Sequence, residues 1–125
     1  MTIGKNNVLS LYEMQNFACA RLPYFHGEAG INDWSTLEWA AAMSGEAGEA
    51  TNVTKKLKRV DTGHARKKHP QRREELVEAL ALECADTLTY LLILCKKEGI
   101  DLNDAFIRKF NQVSEENNIP VRIEP

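Results

Sequence analysis

Residues 35–60 read STLEWAAAMSGEAGEATNVTKKLKRV, and this stretch decides the fold. Ser35 with Glu38 forms a capping box, which is typical of a helix start, and the apolar pattern then continues to about Val60. We therefore predict a helix over these residues, and projection at about 100° per residue places one stripe of side chains along it. The stripe consists of Trp39, Met43, Glu46, Ala50, Val53, Leu57 and Val60.

Acidic pairs interrupt this stripe and a second one. Glu46 lies in the middle of the first stripe, and Glu49 lies at its edge, one turn further on. A later stretch repeats the arrangement, with Glu83 inside a stripe and Asp86 one turn beyond it. That second stripe consists of Leu76, Leu80, Glu83, Thr87, Tyr90 and Leu94. If the two helices pack antiparallel, the four carboxylates converge on one point.

Four converging carboxylates need a positive partner, because like charges about 4 Å apart repel by about 4 kcal/mol even at an effective dielectric near 20. Oxygen-only ligands favour hard cations, so we predict Mg²⁺, with Mn²⁺ as a substitute. A di-iron bundle would instead use Glu-x-x-His pairs, and His26, His64 and His69 all lack a glutamate three residues earlier. The alternative is that the acids are solvated surface charge paired with lysines.

Three further helices are predicted from capping residues, proline and glycine. They run from the capping box of Ser10 and Glu13 to before Pro23, from near Pro70 to Gly99, and from Leu102, after the cap Asp101, to Asn117. Residues 61–74, DTGHARKKHPQRRE, are predicted to form a mobile basic loop, and its charges are interpreted as solvated. No alternating run argues for a strand. The predicted fold is a single all-α, four-helix-bundle-like domain over residues 1–125.

Composition narrows the function classes. The net charge of −2 gives no global field for nucleic acid, and the basic residues concentrate in one loop without interleaved aromatics, so direct nucleic-acid binding is not expected. Cys19, Cys84 and Cys95 are odd in number and widely spaced, which suggests buried free thiols in a reducing cytoplasm. No signal-peptide pattern or membrane-spanning window is evident, so we expect a soluble cytoplasmic protein.

Two segments resemble a known family. Residues 34–59, WSTLEWAAAMSGEAGEATNVTKKLKR, and 80–115, LALECADTLTYLLILCKKEGIDLNDAFIRKFNQVSE, are similar to the MazG-like all-α nucleoside triphosphate pyrophosphohydrolases. That family combines ExxE, a spacer, ExxD, a Gly-Ile-Asp-Leu turn and a Lys-Phe-Asn helix. The resemblance implies that Glu46, Glu49, Glu83 and Asp86 bind magnesium. It also implies hydrolysis of nucleoside or deoxynucleoside triphosphates to monophosphate and pyrophosphate, by a dimer or dimer-based tetramer.

The chain departs from the family pattern in two places. Many members carry another glutamate directly before the ExxE pair, a candidate for orienting the attacking water, but this chain has Gly45 there. The general base is therefore open, and Glu46 or Glu49 is our choice. The spacer between Glu49 and Glu83 is also long, because it includes the basic loop. The alternative to solvated loop charges is that this insertion covers the triphosphate, through Arg66, Lys67, Lys68, Arg72 and Arg73.

Cations are needed for the phosphates of such a substrate. Lys56 follows Glu49 by about two turns, and Lys109 lies at the edge of an apolar stripe on the last predicted helix. Arg21, at the end of the first helix, is a weaker candidate. Asn111 matches the Lys-Phe-Asn of the family but projects away from the stripe, so it is expected to contact substrate, to cap the helix or to face a partner subunit.

Aromatic side chains provide the flat apolar surface that a nucleobase needs. Tyr90 lies one turn after Asp86 and is the favoured contact, with Trp34 and Trp39 as further candidates. Each of the three has an alternative role in the hydrophobic core.

The third predicted helix is apolar on both sides, which indicates that a second subunit covers its outer side. The outer residues are Leu88, Leu91, Leu92 and Cys95. Three function classes follow from the sequence: a metal-dependent pyrophosphohydrolase, a catalytically weak regulatory module that binds nucleotide or metal, and a structural helical bundle with acidic surface charge.

Overall fold

The computed structural model describes residues 8–66, 68–69 and 71–124, and their regular secondary structure is helical, without a strand. The α-helices are α1 (Leu11–Ala20), α2 (Leu22–His26), α3 (Thr36–Asp61), α4 (Arg73–Lys97) and α5 (Leu102–Glu116), with a 3-10 segment at Gly27–Asp33. The prediction of an all-α fold is confirmed. Lys67 of the basic loop and Pro70, the predicted start of the third helix, lie outside the described residues. None of the helices in the described ranges combines the length and apolar character that crossing a membrane requires.

The capping residues begin the helices as the sequence predicts. The Ser10 hydroxyl accepts a hydrogen bond from the backbone N–H of Glu13 at 3.1 Å, and the Glu13 carboxylate accepts one from the Ser10 N–H at 3.2 Å. The Ser35 hydroxyl accepts from the N–H of Glu38 at 3.2 Å, so α3 starts at the predicted place. Asp101 caps α5 in the same way, by accepting from the Asp104 N–H at 3.0 Å.

The segment between α1 and α3 contains helical structure that the sequence pattern did not predict. Pro23 ends α1, as expected, but it also occupies the first turn of α2, where a missing N–H costs nothing. The 3-10 segment that follows bends at Gly30, which has a φ of +54° that favours glycine. This bend brings the carbonyl of Ile31 within 2.9 Å of Trp39 Nε1, which donates a hydrogen bond to it.

Helices α3 and α4 form an antiparallel hairpin. At one end, the hydroxyl of Thr36, the first residue of α3, donates a hydrogen bond to the carboxylate of Glu98, just after α4. At the other end, Arg73 Nε, in the first residue of α4, lies 2.9 Å from the carboxylate of Asp61, the last residue of α3. These contacts mark the register of the two helices, which pack against each other along their length, and that register decides which side chains face each other.

The main hydrophobic cluster is small and lies at one end of the hairpin, while Leu76 is buried separately near the other end. Trp39 is fully buried, and it clusters with Ala18, Leu22 and Ile93 from the surrounding helices. The His26 ring contacts the indoles of both Trp34 and Trp39, with ring centroids 4.8 and 5.0 Å apart. The rest of the hairpin extends beyond this core.

Helix α1 covers part of the outer side of α4. The Gln15 side-chain amide donates a hydrogen bond to the Leu92 carbonyl at 2.9 Å, and both Leu92 and Cys95 are buried within the chain. This corrects the expectation that all four outer residues of the helix need a second subunit, because Leu92 and Cys95 are already covered. Leu88 and Leu91 are only half-buried.

The cysteines are all unpaired, but they are not all buried. Cys95 is buried, Cys19 is half-buried, and Cys84 is exposed. Burial raises the pKa of the thiols of Cys19 and Cys95, because a thiolate loses hydration there. The expectation of three buried thiols is therefore wrong for Cys84.

Helix α5 projects away from the hairpin and makes no extensive contact with α3 or α4. Instead, the chain after it folds back along one side. The Asn111 side-chain amide donates to the Ile123 carbonyl at 2.9 Å and accepts from the Ile123 N–H at 2.8 Å. The Ile119 N–H also donates to the Ser114 carbonyl at 2.8 Å, and Ser114 is buried. Asn111 therefore fastens the C-terminal segment to α5.

We predict that Asn111→Ala releases this segment without unfolding the helices. Loss of two hydrogen bonds to part-buried backbone groups costs about 1–3 kcal/mol locally. Amide hydrogen exchange at Ile123 should accelerate markedly, as measured by NMR or mass spectrometry. Gln112→Ala is the matched control, because Gln112 is the next residue and bonds only to the exposed Glu116. Equal exchange at Ile123 in both variants would contradict the proposed attachment.

Candidate functional site

The antiparallel register brings acidic side chains from α3 and α4 together. Glu46 from α3 and Glu83 and Asp86 from α4 each offer a carboxylate oxygen, and these oxygens all lie within 4.8 Å of one another. Glu46 and Glu83 are half-buried, whereas Asp86 is exposed. Three of the four acids predicted from the sequence thus meet at one point on the hairpin, which we call the acidic cluster.

Glu49, the fourth predicted acid, lies beside the acidic cluster rather than in it. Its side chain is exposed. Its negative charge nevertheless raises the pKa of Glu46, so the two carboxyl groups are close enough to interact. Of the four predicted acids, Glu49 therefore has the greatest freedom to reach a ligand or a water molecule, because it is exposed and lies outside the acidic cluster.

The electrostatic environment disfavours a charge on Glu46. Loss of hydration raises its pKa most, followed by the charge of Asp86, a hydrogen bond with Glu83 and the charges of Glu83 and Glu49. Among residues 8–66, 68–69 and 71–124, none of the four acids forms an ion pair with a lysine, arginine or histidine. The alternative of acids paired with nearby lysines thus finds no support in the described part of the chain.

The acidic cluster offers only oxygen ligands, contributed by two helices. That donor set suits a hard divalent cation, which binds carboxylates and water. A bound cation would also offset the mutual repulsion of the carboxylates. Glu46, Glu83 and Asp86 are placed to hold such an ion, and Glu49 is one turn away from Glu46 on α3.

Gly45 and Gly48 lie beside the acids on α3. Glycine inside a helix costs about 1 kcal/mol relative to alanine. Apart from the adjoining residues and backbone of α3 itself, no atom of the described chain lies within 4 Å of the position that a Cβ would occupy at either glycine, so packing against other elements does not require them. They leave open space next to Glu46 and Glu49.

The aromatic candidates belong to the core to different degrees. Trp39 is completely buried, so neither face of its indole is accessible to a ligand. Trp34 and Tyr90 are half-buried and pack against the same core. Tyr90 follows Asp86 by one turn of α4, and its ring centroid lies 6.1 Å from that of Trp39. Tyr90 is thus the aromatic residue that links the core to the acidic cluster.

The cationic candidates do not gather around the acids. Arg21 is exposed, lies 5.9 Å from the Phe25 ring, and lines a cavity of about 560 Å³ together with Thr89, one turn after Asp86. Lys109 is exposed on α5, apart from the hairpin. Asn111 is engaged by the C-terminal segment through both of its hydrogen bonds to Ile123.

Lys56 belongs to a basic cavity near the end of α3. This cavity, of about 220 Å³, is lined by Lys56, Arg59, Val60, Ala65, Arg66, Gln71 and Leu76. Sequence reasoning missed Arg59, although its i, i+3 spacing from Lys56 places both on one side of α3. Arg66 was interpreted as solvated loop charge, yet it too lines the cavity.

Comparison with known proteins identifies no relative: no protein-family profile, curated protein or solved structure matches this chain.

We predict that Glu46→Gln stabilises the metal-free protein at pH 7. Because the pKa of Glu46 is raised in the folded state, folding takes up protons there, and the contribution of Glu46 to stability falls as the pH rises through the folded pKa. The melting temperature of the variant in EDTA should exceed that of the wild type at pH 7, and the difference should shrink below about pH 4.5, where the carboxyl group is protonated in both states.

The control for this experiment is Glu78→Gln, an exposed position on α4 outside the acidic cluster. It should leave the melting temperature nearly unchanged, because solvated surface charges contribute little. A stabilisation of equal size in both variants would indicate a general charge effect and would contradict strain at the acidic cluster.

Proposed function

We propose that this chain is a magnesium-dependent nucleoside triphosphate pyrophosphohydrolase of the MazG-like type, as the sequence resemblance implies. The observation that carries the proposal is the convergence of Glu46, Glu83 and Asp86 from two helices, without an ion-pair partner in the described part of the chain. The substrate is a nucleoside or deoxynucleoside triphosphate, and the products are the monophosphate and pyrophosphate. The three unpaired cysteines suit a reducing compartment, and we place the activity in the cytoplasm.

The acidic cluster has a defined role in this proposal. Glu46, Glu83 and Asp86 hold Mg²⁺, with Glu49 as a fourth ligand or as the general base. The bound ion neutralises oxygens of the triphosphate, which would otherwise be repelled by the acids. Manganese would substitute because it accepts the same oxygen ligands.

Glu49 is the better placed of the two proposed bases. It is exposed and lies outside the three acids that share one point, so its carboxylate is free to accept a proton. A water oxygen attacks the α-phosphorus, its proton passes to Glu49, and the bond from the α-phosphorus to the bridging oxygen breaks. Pyrophosphate leaves with that bridging oxygen. Lys56 and its neighbours in the basic cavity would stabilise the charge that develops on the leaving group.

A catalytically weak module that binds nucleotide and metal is the second candidate. The observation that favours it is Gly45, which stands where many members of the family carry a glutamate, and next to which no side chain of the chain fills the space. Such a module would bind magnesium and nucleotide, as measured by calorimetry, but would release no pyrophosphate. The two candidates therefore differ in turnover and not in binding.

We predict that incubation with a panel of nucleotides and Mg²⁺ yields pyrophosphate before orthophosphate. In oxygen-18 water, the label should appear in the monophosphate, since the water attacks the α-phosphorus. Mass spectrometry of both products measures this. Label confined to pyrophosphate or orthophosphate would rule out the proposed reaction.

Substitution of the acids should remove turnover while leaving the helices intact. Glu49→Gln and Asp86→Asn should each lower kcat by about 100-fold or more, because general-base catalysis and metal binding contribute factors of this order. Circular dichroism should show unchanged helix content. Glu78→Gln is the matched control and should retain activity. If both the Glu49→Gln and the Asp86→Asn variants retained magnesium-dependent turnover, the assignment of the site would be wrong.

A further inference from the structure

The basic cavity near the end of α3 concentrates positive charge. Its cationic members are Lys56, Arg59 and Arg66, and none of the described residues that line it is acidic. Among the residues that the structure describes, the ion pairs include none of these three cations. The positive charge of the cavity is therefore not neutralised by a carboxylate of the described chain.

The acids at this end of the hairpin are engaged elsewhere or point outside the cavity. Asp61 pairs with Arg73 at 2.9 Å, and Glu75 pairs with Arg72 at 2.8 Å. Neither pair lines the cavity, and nor does the exposed Glu74. These acids thus offset the charges of the two arginines at the start of α4 and leave the cations of the cavity to an external anion.

A left-handed turn after α3 builds one wall of the cavity. Gly63 has a φ of +73°, and its N–H donates a hydrogen bond to the Val60 carbonyl at 3.2 Å. The His64 N–H donates to the Arg59 carbonyl at 2.8 Å. This pair of hydrogen bonds is a Schellman motif, which reverses the chain at the end of a helix. The backbone turn therefore brings Arg66 back to the cavity.

The remaining lining and the size of the cavity restrict its ligand. Val60 and Ala65 are half-buried, and Leu76 is 2% exposed, so apolar groups lie beside the cations and strengthen their attraction for an anion. The volume of about 220 Å³ is below the roughly 300–1,000 Å³ of pockets that enclose a drug-sized ligand. The cavity thus suits a compact group with several negative oxygens, such as two linked phosphates, better than a whole nucleotide.

The helix ends beside the cavity leave its charge preference to the side chains. The C-terminus of α3 carries the negative end of a helix dipole, and the N-terminus of α4 carries a positive end. Both termini lie at this end of the antiparallel hairpin, so their fields largely offset each other. Lys56, Arg59 and Arg66 therefore determine that the cavity prefers an anion.

The cavity and the acidic cluster share α3. Lys56 follows Glu49 by seven residues, which corresponds to about 10 Å along the helix axis. Side chains of a helix lean toward its N-terminus, so Lys56 and Arg59 lean toward the acids. A phosphate chain that extends from the acidic cluster along α3 therefore leads to the cavity.

We propose that the basic cavity is a binding site for a diphosphate group and that this group binds there without a metal ion. The group is either the terminal part of a nucleoside triphosphate or free pyrophosphate, which share this chemistry. Binding does not depend on the proposed function. Its consequence does rest on that function: the cavity retains the pyrophosphate product, which then inhibits turnover. The cavity lies partly in the long spacer by which the chain departs from the family pattern, so the resemblance does not imply this role.

Calorimetric titration with inorganic pyrophosphate in EDTA tests the binding. EDTA removes divalent cations, and without one the acidic cluster repels the ligand. Arg59→Gln and Arg66→Gln should each weaken binding about tenfold, because each removes a charge-assisted contact. Lys58→Gln is the matched control, since it removes the same charge from the opposite side of α3, and it should bind nearly as the wild type does. No binding at millimolar pyrophosphate, or equal weakening in all three variants, would overturn the proposal.

NMR titrations without metal locate the ligand and distinguish its two sources. Addition of pyrophosphate should shift the amide signals of residues 59–66 and 71–76 and leave those of residues 46–49 and 83–86 nearly unchanged. The same shifts with a nucleoside triphosphate would show that substrate and product share the cavity, whereas shifts with pyrophosphate alone would identify a product site. Shifts centred on another part of the chain, such as the cavity beside Arg21, would refute the assignment.

Inhibition by pyrophosphate tests the consequence for turnover. At a constant concentration of free Mg²⁺, pyrophosphate should inhibit hydrolysis of a nucleoside triphosphate, and Arg66→Gln should raise the inhibition constant about tenfold, whereas Lys58→Gln should not. Equal inhibition constants in the wild type and Arg66→Gln would contradict retention of the product. An inactive wild type would refute the proposed function, while the titrations in EDTA would still decide whether the cavity binds a diphosphate group.

Discussion

The antiparallel register of α3 and α4 is the constraint on which the rest of the structure depends. The two helices pack along their length, and contacts at both ends of the hairpin, Thr36 with Glu98 and Arg73 with Asp61, mark their alignment. A shift of either helix by one residue would rotate it by about 100° and separate Glu46 from Glu83 and Asp86. The acidic cluster is therefore a consequence of helix register and needs no dedicated loop.

Much of this arrangement could be predicted from the sequence, because capping residues and helical periodicity are local signals. Ser35 and Asp101 cap their helices as expected, and the i, i+3 spacing of the acids placed each pair on one side of its helix. Convergence required only that the helices run antiparallel. The family assignment and the reaction rest on the resemblance, and their tests are chemical.

Other features depended on contacts between distant residues, so periodicity did not reveal them. The 3-10 segment closes over Trp39 through the Ile31 carbonyl, and nothing in residues 27–33 has a helical period. Asn111 was expected to face substrate, a cap or a partner, whereas it binds the backbone of Ile123, twelve residues away. Leu92 was assigned to a subunit interface, although α1 already covers it.

The acidic cluster places stability and function in opposition. Loss of hydration and three neighbouring carboxyl groups raise the pKa of Glu46, so the folded chain resists full ionisation of its own site. Gly45 and Gly48 weaken α3 at the same place, because each costs helix stability without improving packing within the chain. Strain of this kind persists where surrounding structure overrides it and where a ligand can relieve it. A cation between the helices would relieve the repulsion of the carboxylates, so a ligand would offset the cost that α3 carries at this segment.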